Sequence, residues 1–224
     1  MTSSKPSQYI KGWVEFYKLK FKVIPDVLIP RPETELLVDE VLSFLQTTNH
    51  QPPTTIFDLG TGTGNIAISI AKNAPNINII ATDISPKALK VATQNAKFHG
   101  VEKQITFIES NLLDAVNTNI DVIVTNLPYI PTARIPYLDS SVKDFEPHVA
   151  LDGGEDGFGL YRKLFSQIST FKPQGLKPKL LIGEIDYTHG ELAVNEALKF
   201  FPKAEVEVKT DLSHKQRILK ITFP

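Results

Sequence analysis

The stretch FDLGTGTGN, residues 57–65, constrains this chain more than any other. It follows a short apolar run, Ile56–Leu59. It precedes Asn65–Lys72, where Ile66 and Ile70, and Ala67 and Ala71, repeat at helical spacing. An extended run, a glycine turn and a helix read as the opening crossover of a parallel sheet. The three glycines let the backbone turn tightly and approach a ligand without Cβ clashes.

The alternation continues. Asn78–Ala81 is β-branched and ends at Thr82-Asp83, and Ser85-Pro86 then supplies an N-cap with proline at the first helical position. That helix carries Ala88, Leu89, Ala92 and Ala96 and stops at Gly100. Ile105–Ile108, Asp121–Thr125 and Leu180–Ile185 read as strands, and Leu160–Ile168 and Glu191–Phe200 as helices. Glu205–Lys209 and Arg217–Phe223 alternate as strands with no helix between them, which predicts an antiparallel hairpin at one edge. The expected fold is α/β: a mostly parallel seven-stranded sheet, doubly wound, with helices on both faces. Residues 128–157 read as loop-rich. Upstream, Trp13–Val23 alternates like a strand pair and Thr34–Leu45 is an amphipathic helix. Residues 1–50 are therefore expected to form an N-terminal extension packed on a main domain, 51–224, with the polar, proline-containing Thr47–Pro53 as linker.

Composition removes several chemistries. There is no cysteine, so disulfides, thiolate metal sites and a cysteine nucleophile are excluded. The five histidines show no metal-ligand spacing, and no metal is expected. A net charge of −1 gives no global basic field for nucleic acid. The local cluster Lys172, Lys177 and Lys179 reads as a solvated face. No apolar run approaches the ~20 residues of a membrane span, and the N-terminus MTSSKPSQYIKG lacks a signal core. A soluble cytoplasmic protein is expected.

The glycine pattern is G-x-G-x-G, not the G-x-G-x-x-G of dinucleotide sites. Asp83 ends the second main strand, where an acid can accept hydrogen bonds from two ribose hydroxyls. Asp58, just before the glycines, suits a cationic ligand better than a pyrophosphate. Strand, D-x-G-x-G-x-G, helix, strand and terminal acid together resemble the S-adenosyl-L-methionine (AdoMet) site of Rossmann-like methyltransferases. The fourth strand ends in TNLPYIP, residues 125–131. Its (N/D)-x-P-(Y/F) pattern resembles that of enzymes methylating a planar nitrogen: an adenine or cytosine amino group, or a glutamine carboxamide. The lone pair of such a nitrogen is delocalised, so it is a poor nucleophile. Two acceptors on its N–H groups favour a pyramidal, more reactive geometry. Asn126 Oδ1 and the backbone carbonyl of Leu127 can be those acceptors, Tyr129 can pack on the planar group, and Pro128 fixes the turn.

Five blocks follow in the order seen in the HemK/PrmC family: LIPRPETELLV (28–38), DLGTGTGN, NLPYIP, FEPHVALDGGEDGFGLYRKL (145–164) and DLSHKQRI (211–218). The chain is similar to these protein-(glutamine-N5) methyltransferases of peptide-chain release factors from about Gln8 to its C-terminus. The resemblance implies transfer of a methyl group from AdoMet to the glutamine of a GGQ loop, leaving S-adenosyl-L-homocysteine. It implies cofactor binding by Asp58, Gly60, Thr61, Gly62, Thr63, Gly64, Asp83, Asn111, Leu112 and Asn126, with Arg31 and Thr34 in a block closing over that site. It implies catalysis and substrate binding by Asn126, Leu127, Pro128 and Tyr129, with Phe145 and Glu146 at the substrate. The expected partner is a release factor, with no nucleic acid required and the enzyme a monomer.

Three departures accompany the resemblance. Leu127 replaces the first proline of the usual N-P-P-Y. Asn111 stands where an aspartate is usual. The family's small helical N-terminal domain is expected to be missing. N-L-P-Y is also found in ribosomal-RNA adenine dimethyltransferases, so an adenine amino group stays open as the substrate. A non-catalytic AdoMet-binding module is the third reading.

Overall fold

The structure is a computed structural model that describes residues 5–47, 54–170 and 178–224. The linker residues 48–53, and Lys172 and Lys177, lie outside the described residues. In chain order the elements begin with a short helix α1 (Ser7–Lys11) and a hairpin of β1 (Trp13–Phe16) and β2 (Leu19–Lys22). Helix α2 (Glu35–Thr47) follows a 3-10 turn at Pro32–Thr34. Then come β3 (Thr54–Leu59), α3 (Asn65–Asn73), β4 (Ile77–Asp83), α4 (Pro86–His99), β5 (Ile105–Glu109) and β6 (Val122–Thr125). The loop-rich segment holds 3-10 turns at Thr132–Tyr137 and His148–Ala150 and a one-turn helix α5 (Ser140–Lys143). The chain ends with α6 (Gly159–Thr170), β7 (Leu180–Glu184), α7 (Gly190–Phe200), β8 (Glu205–Thr210) and β9 (Gln216–Thr222).

β3 to β9 form one seven-stranded sheet in the order β5-β4-β3-β6-β7-β9-β8. The first five strands of that order are parallel, and β9 runs antiparallel to both β7 and β8. Successive side chains of a strand point to opposite faces, and both faces here are apolar. Ile56, Val122, Val124, Leu180 and Ile182 face α2, α3 and the hairpin. Phe57, Ile123, Leu181, Leu219 and Ile221 face α6 and α7. This double burial explains why the central strands read as continuous Val/Ile runs rather than alternating ones.

The N-terminal segment is part of this core. Leu37, Val38 and Val41 of α2 and Phe16 and Phe21 of the hairpin are buried with the sheet. Asn95 on α4 accepts from Lys22 N (2.8 Å) and donates to Lys22 O (3.2 Å) and to Thr63 O (2.9 Å), joining hairpin to glycine loop. The α4 cap is as expected: Ser85 Oγ accepts from Ala88 N at 3.3 Å, and Gly100 ends the helix at φ 68°.

Candidate active site

In a parallel sheet, ligands bind beyond the carboxyl ends of the strands, where the strand order reverses. Here the reversal lies between β3 and β6. The register pairs Leu59 with Thr82 and with Thr125, and Thr125 with Gly183. The next residue of each strand therefore stands at one level along the carboxyl edge: Gly60, Asp83, Asn126 and Glu184. The sequence motifs point to the first three of these; Glu184 lies outside every motif.

On the β3–β4 side, the glycine turn and Asp83 hold each other. Gly60, Gly62 and Gly64 have φ of 72°, 55° and 80°. Asp83 Oδ2 accepts from Gly62 N at 2.9 Å and Oδ1 from Ser85 N at 2.8 Å. Burial raises the Asp83 carboxyl, and these backbone donors pull it back. A cavity of about 210 Å³ opens above, walled by Gly60, Gly62, Asp83, Asn111, Leu112 and Asn126 among others. Leu112 sits at φ 58° there, an unusual conformation for leucine, with its carbonyl accepting from Ser110 Oγ at 2.9 Å. Non-glycine residues held this way collect at ligand sites. These features fit AdoMet: a carboxylate with lone pairs left for ribose hydroxyls, a turn that faces the cavity with glycines, and apolar walls for a flat base.

Asp58, by contrast, lies beneath the turn with no exposed surface. Its Oδ2 accepts from Thr61 Oγ1 at 2.7 Å and from Ala67 N at 3.2 Å, tying the turn to the start of α3. Its Oδ1 has no hydrogen-bond partner among the described residues, and burial pushes the carboxyl up to about 7. Thr63 is likewise buried, donating to Asn65 Oδ1 at 2.9 Å.

On the β6–β7 side the geometry is set by Glu184, 1 % exposed at the end of β7. Its Oε2 accepts from Thr34 Oγ1 at 2.6 Å and from Asn126 Nδ2 at 3.2 Å, and its Oε1 from Tyr129 OH at 2.9 Å. Asn126 Nδ2 also donates to Thr34 Oγ1 at 3.1 Å. Burial pushes the Glu184 carboxyl up, while the Thr34 and Tyr129 hydroxyls and the Arg217 guanidinium pull it back. The Tyr129 hydroxyl is raised by burial and by the Glu184 charge. Thr34 thus belongs to the asparagine network as well as to the wall of a small pocket beside the glycine turn. Leu127 is 3 % exposed and packs in the core, so side-chain packing, with no proline ring, holds its carbonyl in place.

The blocks around these residues brace them. Arg31 is ion-paired with the buried Glu146, which also accepts from Ile29 N at 3.2 Å. Phe145 packs near Tyr9, Val27 and Ile29. Glu146, expected at the substrate, holds the 27–31 segment through Ile29 and Arg31, and Val27 and Leu28 of that segment wall the cavity above the glycine turn. The 153–157 loop presses on the Pro128–Tyr129 backbone. Gly157, at φ 78°, lies where a Cβ would collide with Tyr129 O. Among the described residues no cluster of acidic or histidine side chains could hold a metal ion. Among them, too, no helix is long and apolar enough to cross a membrane.

Residues 35–135 match the family described as "Methyltransferase small domain". The fold is shared with the ribosomal protein L11 methylase of Lactobacillus delbrueckii subsp. bulgaricus. That match has a TM-score of 0.61 and 20% identity, over 90% of this chain and 83% of that one. It is shared also with the hMettl16 catalytic domain solved with an RNA hairpin, at a TM-score of 0.73 and 14% identity, over 93% and 77% of the two chains. The class is thus that of the Rossmann-like methyltransferases, and the cofactor is AdoMet, released as S-adenosyl-L-homocysteine. Curated relatives narrow it further. The release factor glutamine methyltransferase of Lactococcus lactis subsp. lactis is 37% identical over 218 residues, 97% of this chain and 77% of that protein. That of Moorella thermoacetica is 44% identical over 173 residues, 76% of this chain and 60% of that protein. The chain belongs to the release factor glutamine methyltransferase family and is an enzyme.

Proposed function

We propose that this enzyme transfers the methyl group of AdoMet to the side-chain amide nitrogen of a protein glutamine, that of the GGQ loop of a peptide-chain release factor. One observation carries the reading. Both neighbours of Asn126 Nδ2 are acceptors, Thr34 Oγ1 and Glu184 Oε2, so Oδ1 is the end of the side chain left to receive a substrate N–H.

The cofactor supplies an electrophilic methyl group on a sulfonium. The chain's task is to hold a weakly nucleophilic amide in line with it. Asn126 Oδ1 accepts one amide N–H and the Leu127 carbonyl the other, drawing the nitrogen lone pair out of conjugation. The Tyr129 ring, fixed through its hydroxyl to Glu184, stacks on the planar carboxamide. AdoMet held there would supply the methyl carbon to the nitrogen, its sulfur keeping the bonding pair as a neutral thioether. The nitrogen becomes acidic and gives its proton to solvent, so a strong base is unnecessary. Gly60, Gly62, Asp83, Asn111 and Leu112 hold the donor, with Asp83 toward the ribose and Asn111 and Leu112 toward the base. Arg31 acts by keeping the 27–31 segment closed over it. Action as a monomer in the cytoplasm is part of the same proposal, and that location fits a substrate of translation termination.

The test is methyl transfer from labelled AdoMet to a release factor, its GGQ→GGA variant, ribosomal RNA and duplex DNA in parallel. The expected label is on the release factor and vanishes in the GGA variant. Label on RNA or DNA alone would make the acceptor a base amino group and overturn the reading. Asn126→Ala should abolish transfer with AdoMet still bound.

A further inference from the structure

A side-chain amide has a donor end and an acceptor end, and nothing local to residue 126 says which faces the substrate. The constraint comes from two distant segments. Thr34 Oγ1 gives its only proton to Glu184 at 2.6 Å, so toward Asn126 it can only accept. Glu184 takes the Thr34 proton on Oε2 and a second from the Tyr129 hydroxyl on Oε1 at 2.9 Å, so with a donor already on each oxygen it too meets Asn126 as an acceptor. Asn126 lies 3.1 Å from one and 3.2 Å from the other. Reversing the amide would put its oxygen against two acceptors. Glu184 itself is held from behind: Tyr161 OH donates to its backbone carbonyl at 2.5 Å, and Gly183 is bare where the Tyr161 ring crosses the strand.

We infer that Glu184 is a positioning residue: through Asn126 Nδ2, Thr34 and Tyr129 it fixes the asparagine amide with its oxygen toward the methyl acceptor, and it sets the Tyr129 ring in the same act. It touches neither donor nor acceptor. The inference rests on the reading of Asn126 as the group that binds the acceptor nitrogen. It makes a prediction that a purely structural role does not: polarity, rather than charge at residue 184 as such, is what matters, and it can be exchanged. In Glu184→Gln the new amide can donate, and Asn126 loses its specified orientation. In Asn126→Asp two carboxylates face each other in a buried site, and one must hold a proton. With both changes together, the introduced glutamine donates through its Nε2 to the introduced aspartate. Its Oε1 still accepts from Tyr129, and a carboxylate oxygen at position 126 again faces the substrate.

The experiment compares wild type, Asn126→Asp, Glu184→Gln, the double variant and Thr34→Val, all as full chains with AdoMet affinity measured alongside. On whichever acceptor the wild type methylates, Glu184→Gln should lower kcat by about 10- to 100-fold. The AdoMet Kd should stay within about threefold, because Glu184 stands on the β6–β7 side. Thr34→Val should lower kcat by about tenfold. Asn126→Asp should be the least active, and adding Glu184→Gln to it should recover at least about tenfold of the transfer. A further readout needs no acceptor. The Asn126 side-chain amide resonances, identified by their absence in Asn126→Asp, should be protected from solvent exchange in the wild type and lose that protection in Glu184→Gln. A Glu184→Gln kcat within about twofold of wild type, a double variant no better than Asn126→Asp, or an unchanged amide exchange would overturn the assignment. Failure of the wild type to label the release factor would instead count against the substrate proposed above.

Discussion

Asp58 offers a measurement of what burial of one carboxyl does to the whole fold. It has no exposed surface, one oxygen takes both hydrogen bonds, and the other has no partner among the described residues. Burial lifts it from an ordinary 3.8 to about 7. A raised carboxyl binds its proton more tightly folded than unfolded. Its favourable contribution is therefore complete below about pH 4 and is lost as pH climbs through about 7. At ~1.4 kcal/mol per pH unit, the swing is about 4 kcal/mol across that window. Full burial leaves no solvent screening to discount. Asp58→Asn mimics the protonated acid: its amide oxygen can still accept from Thr61 and Ala67, and it does not titrate. The assay is urea unfolding without AdoMet at about pH 4.5, 5.5, 6.5 and 7.5. The stability difference between variant and wild type should widen in the variant's favour as pH rises, by about 3–4 kcal/mol overall. A difference that stays flat with pH would show that the carboxyl is ionised in the fold and that this reasoning is wrong.

Other outcomes follow from the same geometry. Asp83→Ala removes the carboxylate that steadies the glycine turn and that we propose holds the ribose, so AdoMet affinity by calorimetry should fall about 100-fold. Gly157→Ala forces a side chain into Tyr129 O at positive φ. It should cost about 3 kcal/mol, or ~6–12 °C in Tm, with transfer falling more than stability alone requires. Glu146→Ala leaves Ile29 N–H without its acceptor and Arg31 without its partner. It should lower stability by about 2 kcal/mol in thermal melts and weaken AdoMet binding several-fold, because Val27 and Leu28 lose their brace.

Much of this architecture is legible in the sequence, and its gaps have physical reasons. The central strands announce themselves as Val/Ile runs because both faces are buried. The cap at Ser85 and the stop at Gly100 are local signals. The edge hairpin follows from two alternating runs with no helix between them, and β9 lies inside β8: Ile218, Leu219 and Ile221 are buried, whereas β8 alternates with solvent. Helix α1 leaves no trace in the sequence because five residues carry no periodicity; its Tyr9 hydroxyl donates to Val27 O at 2.5 Å. The short turns between 132 and 150 are hidden for the same reason. In the site, Asp83 and Asn126 can be found because each ends an apolar strand with a polar group beside a recognisable turn. Glu184 ends a strand in the same way, in LLIGEI, but its partners lie 150, 58 and 55 residues away, so its role has no local trace. The block that contains Phe145 and Glu146 points to the substrate; only the fold reveals that Ile29 and Arg31 occupy the Glu146 carboxylate.

The level row along the sheet edge has a consequence for how such an enzyme changes its target. In the reading proposed above, donor recognition falls on β3 and β4 and acceptor recognition on β6 and β7, and a single parallel ladder joins the two pairs. A substitution on the β6–β7 side can redraw the group that is methylated while the donor half stays intact, and the reverse also holds. The two recognition problems are modular within one sheet. A library confined to residues 126–129, 34 and 184 is therefore the economical place to select for a different acceptor nitrogen.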